Sequence, residues 1–202
     1  MITVRYPTSH KPRTRARLLE TASRLFKSGG YHGIGVDRIM QAEGLTAGAF
    51  YSHFQSKETL LGETFDLAFR QATARILSGL NDREGLEWFR EAVRRYLGRP
   101  HRDHVAEGCP LPALGADVAR SHDRVRARYQ AYLEQLAAEF ERHLAPSEPA
   151  PTDRALAAIA LCVGGILLAR AVKDRALSDR ILQACRRHVL AESVDGGGCS
   201  DP

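Results

Sequence analysis

Residues 36–61 read VDRIMQAEGLTAGAFYSHFQSKETLL, and the reading of this stretch decides the fold. Val36, Ile39 and Met40 recur at helical spacing and predict a short helix over Val36–Glu43, with Asp37 suited to its positive end. Gly44 stops that helix, since glycine readily takes the left-handed backbone that closes one. Thr46 is placed to cap a third helix over Ala47–His53, with Phe50 and Phe54 turned inward. Ser56 caps a fourth, which starts at Lys57 and runs through Leu60, Leu61, Phe65, Ala68 and Phe69 towards Leu80. A helix, the tight turn Glu43–Thr46 and a second helix form the arrangement whose second member enters a DNA major groove. The same turn also joins helix pairs that only pack. Glu43 carries the wrong charge for a helix C-terminus, and nothing nearby in sequence accounts for it.

Outward from this stretch the chain keeps reading as helix. A first helix spans Thr14 to Lys27, with Leu18, Ala22, Leu25 and Phe26 on one face and Gly29-Gly30 at its end. Beyond the quoted stretch, Leu86–Leu97 is amphipathic. Residues 98–112 read as a loop with three prolines and Cys109, and a short helix follows over Ala113–Ser121. Asp123–Leu144, Asp153–Lys173 and Ser178–Ser193 complete the helices, with a proline-rich linker at Ala145–Thr152 and a glycine-rich tail at Asp195–Pro202 expected to be disordered. No stretch alternates with period two, so the expected class is all-α.

Charge divides the chain. The first 60 residues hold nine Lys/Arg against four Asp/Glu; the rest is balanced at twenty of each, so the whole net charge of +5 sits in the first third. A small basic module on a neutral body points to a polyanionic partner. The four cysteines, Cys109, Cys162, Cys185 and Cys199, show no repeated short spacing, and Met1–Thr14 has no apolar leader, which together suggest a reducing cytoplasm. The longest uncharged apolar stretch, Ala155–Ala169, has 15 residues against the roughly 20 a bilayer span needs; no membrane partner is expected.

The run Gly44-Leu45-Thr46-Ala47-Gly48-Ala49-Phe50-Tyr51-Ser52-His53-Phe54-Gln55-Ser56-Lys57-Glu58-Thr59-Leu60-Leu61 resembles the signature of the TetR/AcrR family of bacterial transcriptional regulators, and Leu25-Phe26 with Gly29 matches the helix before it. The resemblance covers about residues 11–71 and implies a three-helix DNA-binding domain there. It further implies a helical effector-binding and dimerisation domain over 72–194, ahead of the tail at 195–202. By position it implies that Thr46 faces a phosphate, that Ala47, Gly48, Tyr51 and Ser52 lie at the groove, that His53 sits near the DNA backbone and that Lys57 pairs with a phosphate. Arg13, Arg15 and Arg17 would form a basic arm. Ala47 and Ala49 depart from the charged or hydroxyl residues common there, so base readout would lean on Tyr51, Ser52 and Arg38.

In the body, Ala155–Ala169 is apolar or small on every side, which predicts burial all round. The resemblance implies that this helix and the last one form a two-fold interface, with Ile159, Gly164, Gly165, Leu168 and Leu182 in it. Aromatic residues of the middle helices, Trp88 and Tyr129 among them, are candidates to line an effector cavity. Cys109 lies just before a helix, where a thiol ionises more easily, with His101, Arg102 and His104 close in sequence. Its Gly-Cys setting is similar to that of NemR-type regulators, which sense electrophiles and oxidants; there a lysine neighbours the thiol, and Arg170 takes the matching place. Two histidines three apart with Cys109 make a weak metal pattern, and neither a metal nor a cofactor is expected. No phosphate loop, nucleophile elbow or catalytic cluster occurs, which argues against an enzyme. The expected function is a cytoplasmic homodimeric repressor, released from a palindromic double-stranded DNA operator by a small-molecule effector. The alternatives are a thiol sensor acting through Cys109, or an interaction protein that has lost DNA binding.

Overall fold

The computed structural model describes residues 10–144 and 151–191. Those residues form an all-α chain without a strand. Helix α1 (His10–Gly29) buries Leu18, Ala22 and Phe26 completely and ends at Gly30, whose φ of +73° is the left-handed turn the sequence anticipates. Helix α2 (Val36–Ala42) closes at Gly44, with φ of +70°. Helix α3 (Lys57–Ile76) is capped by Ser56, whose Oγ accepts the Thr59 N–H at 3.0 Å, and it stops four residues short of Leu80.

The expected third helix is a 3₁₀ segment, Ala47–Ser52. Its backbone bonds run from Ala49 N–H to the Thr46 carbonyl and from His53 N–H to the Phe50 carbonyl. The reason is local. Thr46 occupies the N-cap position but makes no side-chain cap bond, Gly48 is a poor helix former, and the Ser52 hydroxyl donates back to the Ala49 carbonyl.

The reading of residues 98–112 as loop is corrected. Helix α4 (Gly85–Tyr96) is followed by α5 (Arg99–Asp103), a 3₁₀ turn at Val105–Glu107 and α6 (Pro110–Ala119). The prolines lie in the first turns of these helices, where a missing N–H loses no bond and the fixed φ suits the start. Helices α7 (Asp123–Arg142), α8 (Pro151–Ala171) and α9 (Arg175–Ala191) complete the body. Residues 145–150 of the expected linker, the expected disordered tail at 195–202 and Cys199 lie outside the described residues.

Helix α3 runs from the head into the body. It packs on α1 at one end and on α7 and α6 further along, and α8 lies along α9 and α7. One hydrophobic cluster is continuous through both halves, from Phe26 and Phe50 through Phe65 and Phe89 to Ile166.

Burial of α8 on all sides is not what the single chain shows. Ala155, Ala158, Ile159, Cys162, Gly165, Ile166 and Ala169 face inward, while Leu156, Leu167 and Leu168 stand exposed on the other side. With 21 residues α8 is also longer than the 15-residue stretch counted in sequence, and it reaches the length of a bilayer span. One of its sides is nevertheless packed on α7 and α9.

The two adjacent glycines of α8 differ. A Cβ on Gly165 would sit 2.9 Å from Cys185 Sγ and 3.0 Å from Leu97 Cδ2, whereas one on Gly164 would meet nothing. Gly165→Val should therefore lower unfolding free energy by about 1–3 kcal/mol through overpacking, while Gly164→Ala should not lower it. Urea denaturation of the two variants checks this, and equal losses would contradict the packing argument.

Candidate nucleic-acid interface and effector cavity

The 3₁₀ segment stands out from the head because the residues around it hold it by its buried side. Phe50 and Phe54 are in the core with rings 5.6 Å apart, and Leu45 is half-buried against the same cluster. Glu43, unexplained in sequence, is the clamp for the turn. One oxygen accepts from the Thr21 hydroxyl at 2.5 Å and the other pairs with Arg17 at 2.6 Å, so the turn is tied to α1. The opposite side presents Thr46, Ala47, Gly48, Tyr51 and Ser52, all exposed, with Tyr51 72% accessible. A Cβ on Gly48 would touch nothing, so that backbone lies open to close approach. Arg38, on α2, is exposed beside it. The surface is mainly apolar and hydroxyl-bearing and fits base edges and thymine methyls better than phosphates.

The basic residues fall into two groups. Arg15 is ion-paired with Glu63 at 2.5 Å, donates to the His53 carbonyl at 3.4 Å and lies 4.7 Å over the Phe54 ring. Lys57 donates to the Tyr31 carbonyl at 2.6 Å and sits 4.2 Å over the Tyr31 ring, and burial lowers its pKa. Lys27 is buried, donates to the Gly108 carbonyl at 3.2 Å and is pushed down to about 8 by desolvation. Arg17 pairs with Glu43 but keeps 60% of its side chain exposed, so three of the nine basic residues in the first 60, Arg15, Lys27 and Lys57, are turned inward. Lys11, Arg13, Arg24 and Arg38 are exposed. Of the expected arm of three arginines, Arg13 stands exposed, Arg15 pairs with Glu63, and Arg17 pairs with Glu43 while 60% exposed. His53 is half-buried with Nδ1 unpartnered, and burial followed by the charges of Lys11 and Arg15 lowers its pKa.

In the body the structure gathers Cys109, His101, Arg170 and Tyr96. His101 Nδ1 donates to the Tyr96 carbonyl at 2.7 Å, and Nε2 accepts the Cys109 N–H at 3.0 Å. Both ring nitrogens are therefore committed to backbone, which removes the ring from any metal set. Arg170 donates to the carbonyls of His101 at 2.6 Å and Arg102 at 3.0 Å. Cys109 is the N-cap of α6, but it is only 3% exposed, and desolvation pushes its thiol above the ordinary value against the opposing pull of Tyr96, Leu111, Arg170 and Lys27. The expectation of an easily ionised thiol is thereby corrected: burial outweighs the helix end. Nor do its sequence neighbours supply charge. Arg102 pairs with Asp103 and Asp179, and His101 is held neutral, its pKa pushed down to about 4 by desolvation.

Cys109 lines a narrow apolar cavity of about 30 Å³ with Ala72, Tyr96, Tyr132, Ile159 and Cys162. Trp88 does not reach it; its ring stacks on His143 at 3.9 Å in the core. Tyr129 faces a separate cleft beside Gly115 and Val118. Of the expected interface residues, Ile159, Gly165 and Leu182 are buried within the chain, and only Gly164 and Leu168 keep an outward position. The sequence also gave no sign of the links from α6 to the head. These are Lys27 to Gly108 and the Tyr31 N–H donated to Asp117 at 3.0 Å, each joining residues more than 80 positions apart.

Residues 18–64 match the family model described as bacterial regulatory proteins, tetR family. Over 190 residues the chain is 29% identical to an uncharacterized HTH-type transcriptional regulator of Mycobacterium tuberculosis, covering 88% of this chain and 95% of that one. It is 28% identical over 169 residues to the HTH-type transcriptional regulator LmrA of Bacillus subtilis, covering 80% and 88%. Among solved structures it is similar to a TetR transcriptional regulator from Chloroflexus aurantiacus, with a TM-score of 0.79, 23% identity and coverage of 93% and 98%. It is also similar to reduced NemR of E. coli, with a TM-score of 0.70, 21% identity and coverage of 88% and 95%. A further likeness is to AibR in complex with isovaleryl coenzyme A and operator DNA, with a TM-score of 0.58, 20% identity and coverage of 88% and 98%.

Proposed function

The chain is a TetR-family transcriptional regulator and not an enzyme, and from that premise we propose that it is a homodimeric repressor, working in the cytoplasm and released from a palindromic operator by a small-molecule effector. The observation that carries this reading is the exposed 3₁₀ segment, where Tyr51 stands 72% accessible although one edge of its ring meets Phe50 at 5.3 Å. In this reading residues 11–71 form the reading head and residues 72–194 the effector and dimer body. Ala47, Gly48, Tyr51 and Ser52 enter the groove, and Arg38 reaches it from α2. Thr46, His53 and Lys57 meet the backbone, Lys57 through the N–H groups not used by the Tyr31 carbonyl. Arg15 supports the head from within.

Dimerisation is supported by the uncovered leucines of α8, and a two-fold pair of heads matches a palindrome. AibR, a structural neighbour crystallised with both a small molecule and operator DNA, supports an effector that acts through the body. The route to the head would be α6, which holds the cavity residue Cys109 at its start and Asp117, the partner of Tyr31, near its end.

The test is a mobility-shift titration on DNA from the regulator's own promoter region against random DNA. Tyr51→Ala should weaken specific binding by about 10- to 100-fold, the value of one good base contact, with little effect on random DNA. Equal losses on both DNAs would remove Tyr51 from base readout, and the absence of any specific complex would remove the repressor reading.

A further inference from the structure

A second cavity lies on the flank of the body, between the end of α3, α4, α5 and α9, with a volume of about 560 Å³. Arg75, Arg94, Arg95, Arg99 and Arg186 line it, against the acids Glu107 and Asp179. Glu91, just outside, pairs with Arg94 and Arg95; Asp179 holds Arg99 at 2.6 Å, and Glu107 stands 3.7 Å from Arg75. Five guanidinium groups thus meet three carboxylates. Arg186 is half-buried and has no acidic partner among the described residues. Each paired arginine keeps further N–H donors, since a guanidinium carries five.

This surplus does not serve the reading head. Arg75 is 18 residues beyond Lys57 on the same helix, about 27 Å away at 1.5 Å per residue. The volume falls in the range of small-molecule sites rather than of a single buried ion. The floor changes character as well. Ile76, Leu97 and Leu182 line it beside the arginines, and Ile76 also borders the apolar cavity that Cys109 lines. Ile76 therefore stands between a charged cleft and an apolar slot.

We propose that this cleft binds a phosphate-bearing small molecule with a short apolar tail, the phosphates held by Arg75, Arg94, Arg99 and Arg186 and the tail directed past Ile76. Planar forks of this kind suit phosphate oxygens, which accept two parallel N–H bonds. Prenyl diphosphates and acyl thioesters of coenzyme A share this chemistry. The proposal names a class for the effector and rests on the repressor reading only for its regulatory consequence.

Calorimetry on the full chain without DNA tests the site, at 0.15 M salt, with pyrophosphate, dimethylallyl diphosphate and butyryl-coenzyme A as probes and butyrate as the phosphate-free control. At least one tailed probe should bind at least tenfold more tightly than pyrophosphate, and butyrate should not bind. The stronger of the two tailed probes identifies the carrier. Arg186→Glu should weaken that probe at least tenfold, while Arg83→Glu, an exposed arginine elsewhere that pairs with Glu87, should leave it unchanged. Circular dichroism of both variants confirms that they fold. Absence of heat from all three phosphates, or equal affinities in Arg186→Glu and the unmodified protein, overturns the site. A tailed probe no better than pyrophosphate overturns the role of the slot. Because no DNA is present, these failures leave the repressor reading standing, and failure of operator binding leaves the calorimetric result intact.

Discussion

Leu168→Glu should yield a monomer that no longer retains operator DNA at concentrations where the unmodified protein is expected to. Leu168 is 56% exposed in the single chain, on the same side of α8 as Leu156 and Leu167. Covering a leucine stabilises an interface by about 1.5–3 kcal/mol. In a two-fold interface each residue counts twice, so the six leucines supply most of what a stable dimer needs. A glutamate in that contact loses the burial and adds an unpaired charge whose desolvation costs several kcal/mol. The fold of the chain should survive, because the inward face of α8, with Ile159, Cys162 and Ile166, is untouched. DNA binding should then fall by about 10²–10⁴, the gain that linking two heads gives over one. Sedimentation velocity gives the mass, a mobility shift gives the affinity, and circular dichroism gives the fold. A dimer that persists in Leu168→Glu would move the interface away from this face.

The second large effect is a loss of stability in mild acid that passes through His101. The ring is 8% exposed, its Nδ1–H is donated to the Tyr96 carbonyl and its Nε2 lone pair takes the Cys109 N–H. Protonation would put an N–H on Nε2 directly against the Cys109 N–H and break the start of α6. Desolvation, and the neighbouring charges of Arg170, Arg75 and Lys27, push the folded pKa down to about 4, while hydrogen bonding to Tyr96 pulls the other way. The unfolded ring takes its proton near pH 6.5. Between those values the unfolded chain holds more protons, so stability falls as pH drops from about 6.5 to about 4, and it is unaffected by this group above that window. The depth is about 3 kcal/mol, at 1.36 kcal/mol per pKa unit. His101→Gln, which keeps a donor and an acceptor but does not titrate, should be less stable than the unmodified protein at pH 7, and the gap should narrow by about that amount at pH 4. Parallel pH dependences from chemical denaturation would rule His101 out as the acid-sensitive group.

What could be read from sequence was what short-range chemistry decides. Gly30, Gly44 and Ser56 mark helix ends through their own backbone or hydroxyl, and each does so in the structure. The apolar spacing of α1 and α3 gives their buried faces. Prolines misled where they were counted as breakers, since in the first turn of α5 and α6 a proline starts a helix as well as ending one. The inner and outer faces of α8 were not legible because its apolar residues occupy every side, so periodicity carries no direction. At the candidate site the exposed segment was legible and the state of Cys109 was not. Its burial depends on Tyr96, Tyr132, Ile159 and Cys162, which come from three other helices. Glu43 shows the same limit in reverse: a residue at odds with its own helix end makes sense only beside Thr21 and Arg17, some 22 and 26 positions earlier.

The inward commitment of Arg15, Lys27 and Lys57 bears on how such a regulator would search a chromosome. Retention on random DNA is almost wholly a matter of phosphates neutralised, each changing the slope of log affinity against log salt by about 0.9. A head with part of its positive charge turned inward would form fewer of these contacts than its nine cations suggest, so it would leave non-target DNA more readily and be less sequestered by the roughly 10⁶ or more competing sites of a genome. In the proposed reading its preference for the correct site would then rest on groove contacts from side chains such as Tyr51, which salt barely touches. Such a protein would occupy its operator from fewer copies and hold it across a wider range of ionic strength than a head with every cation free.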